Sequence, residues 1–513
     1  MSERGQALRN TLLSSVAIYV EYVLGMLASI LVARELGPEH YGTYSLIIWM
    51  AGLGVAFTNS GTATAAIKFV AELRGGDQEN MIPTALRFLR RAQQIFLGVV
   101  AVAGGVLIWL FGTHMLPGYD DRLIFGALLL AVGLRAPYMF NIAVAKGFEC
   151  FRATATIASI ATPINLALVL GAWYLHAPVL GFLLVYLVSG AVFYLVSLWQ
   201  VRQLERPLGR GIPMPPSLRA RVFRHMRIVA VTVAVSFLGA REVEVLFLKL
   251  YDSAAAAGQF KVAYQLASGA ALLVPGVFSA LLLPMMAHAV TRGQDFAAQR
   301  FVSSTTYLAM LAVPLMAFGV IFAVPVIQVL FGAAYAPAAP VFAVLLCAGS
   351  LAAMSGAASG LLISADRQHH MLILTLVTAT LKISLDWWWV KVAGLPGAVA
   401  ANFTVAVLGT AAVLGLAMHM AHTSLAWGRL ARIVLAGAVA ALCAWPLHHF
   451  LPPWPRILAG FVVVSLVYAF ATVLFGCWSR KDVEYIQTLL VRVSGGRPRW
   501  LMRLLTKVAG RGV

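Results

Sequence analysis

The sequence predicts an all-α polytopic membrane protein with about fourteen transmembrane helices. Two observations carry this prediction: 61% of the 513 residues are hydrophobic, and only 11% are charged. Soluble domains carry roughly 25% charged residues, so the polar surface of a globular protein is missing. A third observation is that apolar segments of about 20 residues, the length that spans a bilayer, recur along the chain.

The predicted spanning segments follow one another with short connections. They cover residues 11–33, 41–63, 91–112, 123–145, 154–175, 179–200, 226–250, 261–287, 302–323, 338–363, 371–390, 397–420, 430–450 and 456–478. The first apolar run is too long for a typical cleaved signal peptide, so we interpret it as a spanning helix.

The distribution of basic residues predicts the topology, because cytoplasmic connections are enriched in Lys and Arg. With both termini in the cytoplasm, the outer side receives only six of the 38 Lys and Arg: Arg34, Arg122, Lys249, Lys261, Lys391 and Arg456. The remaining basic residues outside the spanning segments fall on the cytoplasmic side. The net charge of +19 therefore indicates topology and does not indicate a nucleic-acid partner.

An internal repeat relates the two halves of the chain. Gly42 and Gly258, and also Gly181 and Gly397, are separated by the same 216 positions. Six helices per repeat is an even number, so the two copies have the same orientation in the membrane. The predicted organisation is a six-helix lobe (1–201), a basic linker (202–224), a second six-helix lobe (225–425), two further helices (426–478) and a basic amphipathic cytoplasmic tail (479–513).

Three cations lie near the middle of apolar segments: Arg135, Arg241 and Lys382. A cation at this depth costs about 2.5–3.5 kcal/mol on insertion scales and usually faces a protein interior or a watery cavity. Because few acids accompany them, we expect a cavity that receives an anion. Local ion pairs are the structural alternative: Arg135 with Glu21 or another acid, Arg241 with Glu244, and Lys382 with Asp386.

Other charged residues fall into two further groups. Cations at the cytoplasmic or outer rim could capture or release an anion, although snorkelling toward the interface is the simpler interpretation; they are Arg34, Lys68, Lys146, Lys249 and Lys261. Carboxylates within the spanning segments are candidates for ion coupling, and they are Glu21, Glu242, Glu244 and Asp386.

The sequence contains no nucleotide-binding loop, metal-ligand spacing or nucleophile motif. We therefore expect neither an enzyme, nor a metal site, nor a cofactor, and no residue is assigned a catalytic role. Energy for transport would come from an ion gradient, the membrane potential or substrate flux.

Four segments resemble a known transporter family: ARELGPEHYGTY (Ala33–Tyr44), AGQFKVAYQL (Ala257–Leu266), FGAAYAPAAPVFAVLL (Phe331–Leu346) and GLPGAVAANF (Gly394–Phe403). They look like the polysaccharide transporters and O-antigen flippases of the multidrug/oligosaccharidyl-lipid/polysaccharide exporter superfamily. The resemblance extends over most of the chain, to about Met420.

The resemblance implies a flippase of the bacterial cytoplasmic (inner) membrane. Such a protein moves undecaprenyl-pyrophosphate-linked oligosaccharide to the outer leaflet by alternating access, for O-antigen (lipopolysaccharide), capsule or exopolysaccharide synthesis. The implied partners are this lipid-linked oligosaccharide, membrane lipids and other polysaccharide assembly proteins, with no nucleic acid. A lipid II flippase, a drug/cation antiporter of the same superfamily and a membrane O-antigen polymerase are the alternatives. The excess of cations over acids argues against the antiporter, and the absence of a large outer loop argues against the polymerase.

Overall fold

A computed structural model describes residues 3–76, 78–115, 118–209, 211–240, 242–273 and 278–478. The described chain is α-helical with short connections, which confirms the predicted fold class. The main helices are α1 (Glu3–Thr58), α2 (Thr62–Gly75), α3 (Ile82–Met115), α4 (Asp121–Gly147), α5 (Phe151–Tyr174), α6 (Val179–Glu205), α7 (Pro216–Ala240), α8 (Val243–Tyr251), α9 (Ala254–Leu273), α10 (Ser279–Thr291), α11 (Gln294–Phe331), α12 (Ala338–Met354), α13 (Gly356–Ser364), α14 (Gln368–Met420), α15 (Trp427–Ala444), α16 (Leu447–Phe450) and α17 (Pro453–Leu474).

Among the residues that the structure describes, each of the fourteen predicted segments overlaps one or two of these helices. Nine helices in the described part of the chain are long and apolar enough to cross a bilayer, judged by length and composition. The predicted amphipathic tail (479–513) lies outside the described residues, as does Arg241. The domain boundaries predicted from the repeat remain a prediction.

Two predicted connections are sharp breaks inside continuous helices. In α1 the break lies at Gly37, which has a φ of 69° and is followed by Pro38. In α14 it lies at Gly394, which has a φ of 58° and precedes Pro396 by two residues. Glycine tolerates the left-handed backbone and proline removes a helical N–H, so each pair redirects the chain without a loop.

The break in α14 is held by the connection between α8 and α9. A carboxylate oxygen of Asp252 accepts the backbone N–H of Leu395 at 2.8 Å. A Cβ at Gly394 would lie 2.3 Å from the same oxygen, so the residue there must be glycine for this contact to form. The carboxylate thus satisfies a backbone donor that the break frees.

Other predicted segments are divided into two helices. The segment 226–250 is split into α7 and α8, because Glu242 adopts a left-handed φ of 50°. The segment 338–363 is split at Ser355 into α12 and α13. Such breaks inside a membrane are tolerated where the freed backbone groups are buried in protein or line a cavity.

The backbone repeats the internal symmetry seen in the sequence. Glu149 and Asp366 are 217 positions apart, and both are non-glycine residues in the left-handed region, with φ of 55° and 56°. His176 and Gly394 are 218 positions apart and have φ of 50° and 58°, and each precedes a proline by two residues. These turns fall at matching points of the two predicted repeats.

The chain divides into two compact units. The first contains the residues up to Lys261 together with Val390–Leu395, and the second contains Val262–Trp389 together with the residues from Pro396 onward. In the first unit, a buried core around Phe69, Leu86 and Phe140 joins α2, α3, α4, α6 and α7. In the second, a core around Met286, Phe301 and Leu362 joins α10, α11, α13 and α14.

A close helix crossing in the first unit joins α1 to the start of α9. A Cβ at Gly42 would lie 1.7 Å from the carbonyl oxygen of Ala254, and a Cβ at Gly258 would lie 2.1 Å from that of Pro38. Both pairs of equivalent positions, 38 with 254 and 42 with 258, are related by the 216-residue repeat. The contact is therefore reciprocal, as at a two-fold axis, and its two glycines allow the backbones to touch.

Helices α15 and α17 pack on α11 within the second unit. A Cβ at Gly437 would lie 2.3 Å from a Val313 methyl, and one at Gly460 would lie 2.4 Å from the Phe322 ring. The Tyr468 hydroxyl donates to the carbonyl of Met310 at 2.9 Å. Small residues again permit close helix packing where apolar burial alone provides no driving force.

Candidate functional site

Arg135 lies near the middle of α4 and is only partly buried. Its guanidinium carbon is 3.7 Å from the centroid of the Tyr186 ring on α6. Gly190, one turn further along α6, leaves room for the arginine side chain, because a Cβ there would lie 3.6 Å from Arg135 Cγ. The sequence thus places a flat cation on an aromatic face, which is a favourable cation–π geometry.

The Arg135 guanidinium has no acidic partner among the residues that the structure describes. Its Nε is buried without a hydrogen-bond acceptor from that part of the chain. The predicted alternative, an ion pair with Glu21, is not formed there, since Glu21 is exposed and interacts electrostatically with Lys146 and Tyr138. A buried donor without an acceptor is costly, so the site is suited to an incoming anion.

Tyrosines lie near this arginine. Tyr186 contacts the guanidinium directly, and Tyr44 and Tyr138 lie close enough to be influenced by its charge. Tyr41 stacks beside Tyr44 with ring centroids 6.2 Å apart and shares a hydrogen bond of 2.8 Å with Ser29. Tyr41 and Tyr138 are buried, whereas Tyr44 and Tyr186 are partly exposed, so the rings and hydroxyl groups of the latter two suit an amphipathic ligand.

A second cation belongs to the same group of residues. Lys261 of α9 forms an ion pair with Glu242, at the break between α7 and α8, and its charge also acts on Tyr41 and Tyr186. We define the Arg135 cluster by its members: Arg135, Lys261, Glu242, Tyr41, Tyr44, Tyr138 and Tyr186. Lys261 was predicted at the outer rim, and the structure brings it into this cluster with only about a fifth of its side chain exposed.

Amides support α4 beside the cluster. Asn59 and Gln93 both donate to the carbonyl oxygen of Ala136 at 3.1 Å, and Gln93 also donates to the Asn59 side-chain oxygen at 2.6 Å. Ala136 precedes Pro137, which supplies no N–H to the helix. The amides therefore hold the α4 backbone next to Arg135, where a proline weakens the helical hydrogen bonding.

Lys382 and Asp386 form the local ion pair that the sequence left open as an alternative. Their Nζ and Oδ2 atoms are 2.9 Å apart on α14 of the second unit. The side chains are 7% and 0% exposed, so Asp386 does not reach solvent. This ammonium is neutralised one helical turn along its own helix.

The remaining predicted site residues are not members of the Arg135 cluster. Arg34, Lys68 and Lys146 are exposed, and the Lys68 ammonium lies 5.4 Å from the Phe69 ring centroid. Lys249 is half-buried, with its ammonium 3.4 Å from the Thr43 hydroxyl, and Glu244 is fully buried. Among the described residues no cluster of His, Cys, Asp or Glu could hold a metal ion.

Sequence reasoning singled out the cations and missed the tyrosines. Tyr41 and Tyr44 stand inside the segment Ala33–Tyr44, and Tyr138 follows Arg135 by three positions. Aromatic residues one helical turn from an intramembrane cation were the available signal. Tyr186 lies on a different helix, and only the packing of α4 against α6 reveals its contact.

Solved structures share this fold. A lipid II flippase, MurJ, in an inward closed conformation has a TM-score of 0.71 at 12% identity, covering 90% of this chain and 98% of that chain. An inward-facing multidrug resistance MATE family transporter of the MOP superfamily has a TM-score of 0.63 at 15% identity, covering 80% of this chain and 99% of that chain. An outward-facing transporter of the same description has a TM-score of 0.52 at 15% identity, covering 81% and 96%.

The sequence comparisons complement this likeness of fold. No curated protein sequence matches the chain. The family model described as "Polysaccharide biosynthesis protein" matches residues 7–290, which is more than half of the chain and includes every member of the Arg135 cluster. The chain is thus a multi-pass membrane protein that belongs to this polysaccharide biosynthesis family and has the fold of flippases and transporters.

Proposed function

We propose that this protein moves a lipid-linked, pyrophosphate-bearing oligosaccharide from the inner to the outer leaflet of the bacterial cytoplasmic membrane. The observation that carries the proposal is Arg135: a guanidinium in the middle of a membrane helix, stacked on Tyr186, with no acidic partner among the described residues. The chain's membership of a polysaccharide biosynthesis family supports a glycan-bearing substrate.

The physical logic begins with the anion. A pyrophosphate leaving water loses its hydration, which hydrocarbon cannot replace. Arg135 offers a planar fork of donors that suits a pair of phosphate oxygens. The hydroxyls of Tyr44 and Tyr186, which are partly exposed, can donate to the same group, and their rings provide faces for sugars and for the start of an isoprenoid chain.

Lys261 contributes differently from Arg135, because Glu242 already neutralises it. A substrate phosphate could displace the carboxylate from the ammonium, since both are anions of similar hydrogen-bonding character. This exchange gives the empty transporter a satisfied resting pair. Arg241, the residue before Glu242, is proposed to add positive charge at the same helix break.

We propose Glu21 as the residue that couples transport to an ion. Of the four predicted carboxylates, Glu242 and Asp386 are engaged in ion pairs and Glu244 is fully buried. Glu21 is exposed on α1, so a proton or cation can reach it. Glu21→Gln is expected to remove the dependence of transport on a proton or cation gradient.

The proposal is tested by a leaflet-resolved assay of lipid-linked oligosaccharide in a deletion strain restored with Arg135→Ala. Hydrogen bonds to charged groups contribute about 1.5–3 kcal/mol each, so losing two should lower transport by roughly a hundredfold or more. We expect the intermediate to accumulate in the inner leaflet and surface glycan to be lost. Arg122→Ala, at an exposed position on the same helix, is the matched control and should export normally.

Four outcomes would overturn the proposal. Normal outer-leaflet intermediates in the deletion strain would indicate a later step, such as polymerisation. Normal export by Arg135→Ala, at wild-type levels of membrane protein, would remove the anion site from the mechanism. Accumulation of lipid II in place of the polysaccharide intermediate would assign the protein to peptidoglycan precursors, and changed drug susceptibility alone would indicate an antiporter.

A further inference from the structure

A large apolar cavity opens on the first unit, and none of its lining residues belongs to the Arg135 cluster. Its volume is about 550 Å³, and it lies between α1, α3, α4 and α7. Its walls include Leu53, Phe96, Leu107, Leu129 and Val231, and the one hydroxyl among the lining residues belongs to Ser60. We call it the α3 cavity. A cavity of this size falls in the range of about 300–1,000 Å³ that holds small ligands.

The α3 cavity opens on the outer surface of the spanning helices. Three of its lining residues are strongly exposed: Val99 (60%), Leu107 (54%) and Val231 (66%). In a membrane protein, exposed apolar side chains on spanning helices contact lipid. Small residues on α3 make the recess, because Ala103 and Gly104 stand where larger side chains would fill it. The chemistry of the walls therefore fits a hydrocarbon chain.

Two basic residues lie on α7 next to the α3 cavity. Arg224, Arg227 and Val231 are spaced three and four residues apart, so they share one face of the helix. Both arginines are exposed, and the Arg227 guanidinium carbon is 6.0 Å from the Phe223 ring centroid. The line from Val231 to Arg224 thus passes from an apolar recess to two cations at the predicted cytoplasmic end.

We propose that the α3 cavity binds one acyl chain of an anionic glycerophospholipid, whose phosphate is held by Arg224 and Arg227. Charge complementarity selects this occupant over a neutral lipid, because each basic residue near the cytoplasmic leaflet contributes a favourable interaction with anionic headgroups. The site is separate from the proposed transport site, since none of its lining residues belongs to the Arg135 cluster.

The experiment measures lipid binding to the purified full-length protein by native mass spectrometry, with phosphatidylglycerol and phosphatidylcholine of identical chains as probes. Gly104→Leu should lower phosphatidylglycerol affinity at least tenfold. A Cβ at Gly104 meets only Phe125, at 4.0 Å, so the leucine can occupy the cavity. Gly98→Leu is the matched control: it lies on the same helix, a Cβ there meets nothing within 4 Å, and it does not line the cavity.

The headgroup is tested separately. Arg224→Gln and Arg227→Gln should each weaken phosphatidylglycerol binding about fivefold and leave phosphatidylcholine binding unchanged. Arg91→Gln, an exposed arginine on α3 that faces away from the cavity, should have no effect. These arginine variants leave the cavity walls intact, so they remain informative if Gly104→Leu folds poorly.

Three results would overturn the proposal: equal affinity for the two lipids, unchanged phosphatidylglycerol binding in Gly104→Leu, or preferential displacement of phosphatidylglycerol by undecaprenyl phosphate. The last result would assign the cavity to the isoprenoid tail of a substrate. Failure of the transport proposal would leave the lipid-binding measurement unaffected, because its readout does not involve transport.

Discussion

Arg135 and Lys382 are both cations near the middle of membrane helices, but they differ in burial and in whether an acid neutralises them. Lys382 is almost completely buried and forms a 2.9 Å ion pair with Asp386. Arg135 is partly exposed, lies on the Tyr186 ring and has no acidic partner among the described residues. In the first arrangement, that of Lys382, the charge is neutralised by a carboxylate. In the second arrangement, that of Arg135, the guanidinium has donors available to a ligand.

The local sequence explains this difference. An acid four residues after Lys382 occupies the same helix face. The positions three and four residues from Arg135 carry Ala131, Val132, Tyr138 and Met139, none of which can neutralise it. An intramembrane cation is therefore a better candidate for ligand binding when its helical neighbours include no acid.

The largest expected effect is on stability, at the Lys382–Asp386 pair. Asp386→Leu removes the paired carboxylate from a buried ammonium, and breaking a buried ion pair costs about 3–5 kcal/mol. The midpoint of denaturant or thermal unfolding in detergent measures the loss. Adding Lys382→Met should restore most of the stability, because replacing both charges by apolar groups is often neutral. Equal destabilisation by the single and double variants would contradict a role for pair neutralisation.

The next variant converts the second arrangement into the first, by giving Arg135 an acidic neighbour. Met139→Glu places an acid four residues after Arg135, as Asp386 follows Lys382, and position 139 is 47% exposed, so the new side chain does not enter a packed core. At equal abundance of folded protein in the membrane, we expect a loss of export close to that of Arg135→Ala, because the new carboxylate competes with the substrate phosphate. Met139→Gln is the uncharged control, and loss of export there as well would implicate size and not charge.

A smaller effect is expected at the aromatic face beneath Arg135. Cation–π interactions contribute about 0.5–2 kcal/mol, so Tyr186→Leu should reduce transport roughly 2- to 30-fold. Tyr186→Phe keeps the ring and should retain most of the activity. The same leaflet-resolved assay distinguishes them. Similar losses in both variants would indicate that the hydroxyl of Tyr186, and not its ring, serves the substrate.

The smallest expected effect is on export, when both members of the Lys382–Asp386 pair are replaced. If the Lys382–Asp386 pair is only structural, the double variant Lys382→Met with Asp386→Leu should export glycan within about twofold of wild type. Its abundance in the membrane provides the normalisation. Loss of export at normal abundance would instead assign Lys382 or Asp386 to substrate binding or ion coupling.

The sequence predicted the helices well because hydrophobic length and basic asymmetry are direct consequences of the bilayer. It did not predict that α1 and α14 each continue through a predicted connection, since Gly37 with Pro38 and Gly394 with Pro396 can make either a loop or a sharp break. The division of the seventh segment depends on Glu242 in a left-handed conformation, which few non-glycine residues adopt.

The candidate site was partly predictable for a similar reason. Intramembrane charge marks Arg135 directly. The tyrosines of the cluster come from α1, α4 and α6, so their convergence depends on tertiary packing. Lys261 looked like a rim residue because the predicted segment began there. In the structure α9 begins at Ala254, and the lysine lies two turns inside its helix.

The reciprocal glycine crossing has a consequence for which substitutions the chain can accept. A Cβ at Gly42 would lie against the carbonyl of Ala254, and a Cβ at Gly258 would lie against that of Pro38. A side chain at either glycine would therefore push the same two helices apart. The two positions, 216 residues apart in the sequence, are thus constrained together, and a larger residue at one of them weakens the contact made by the other.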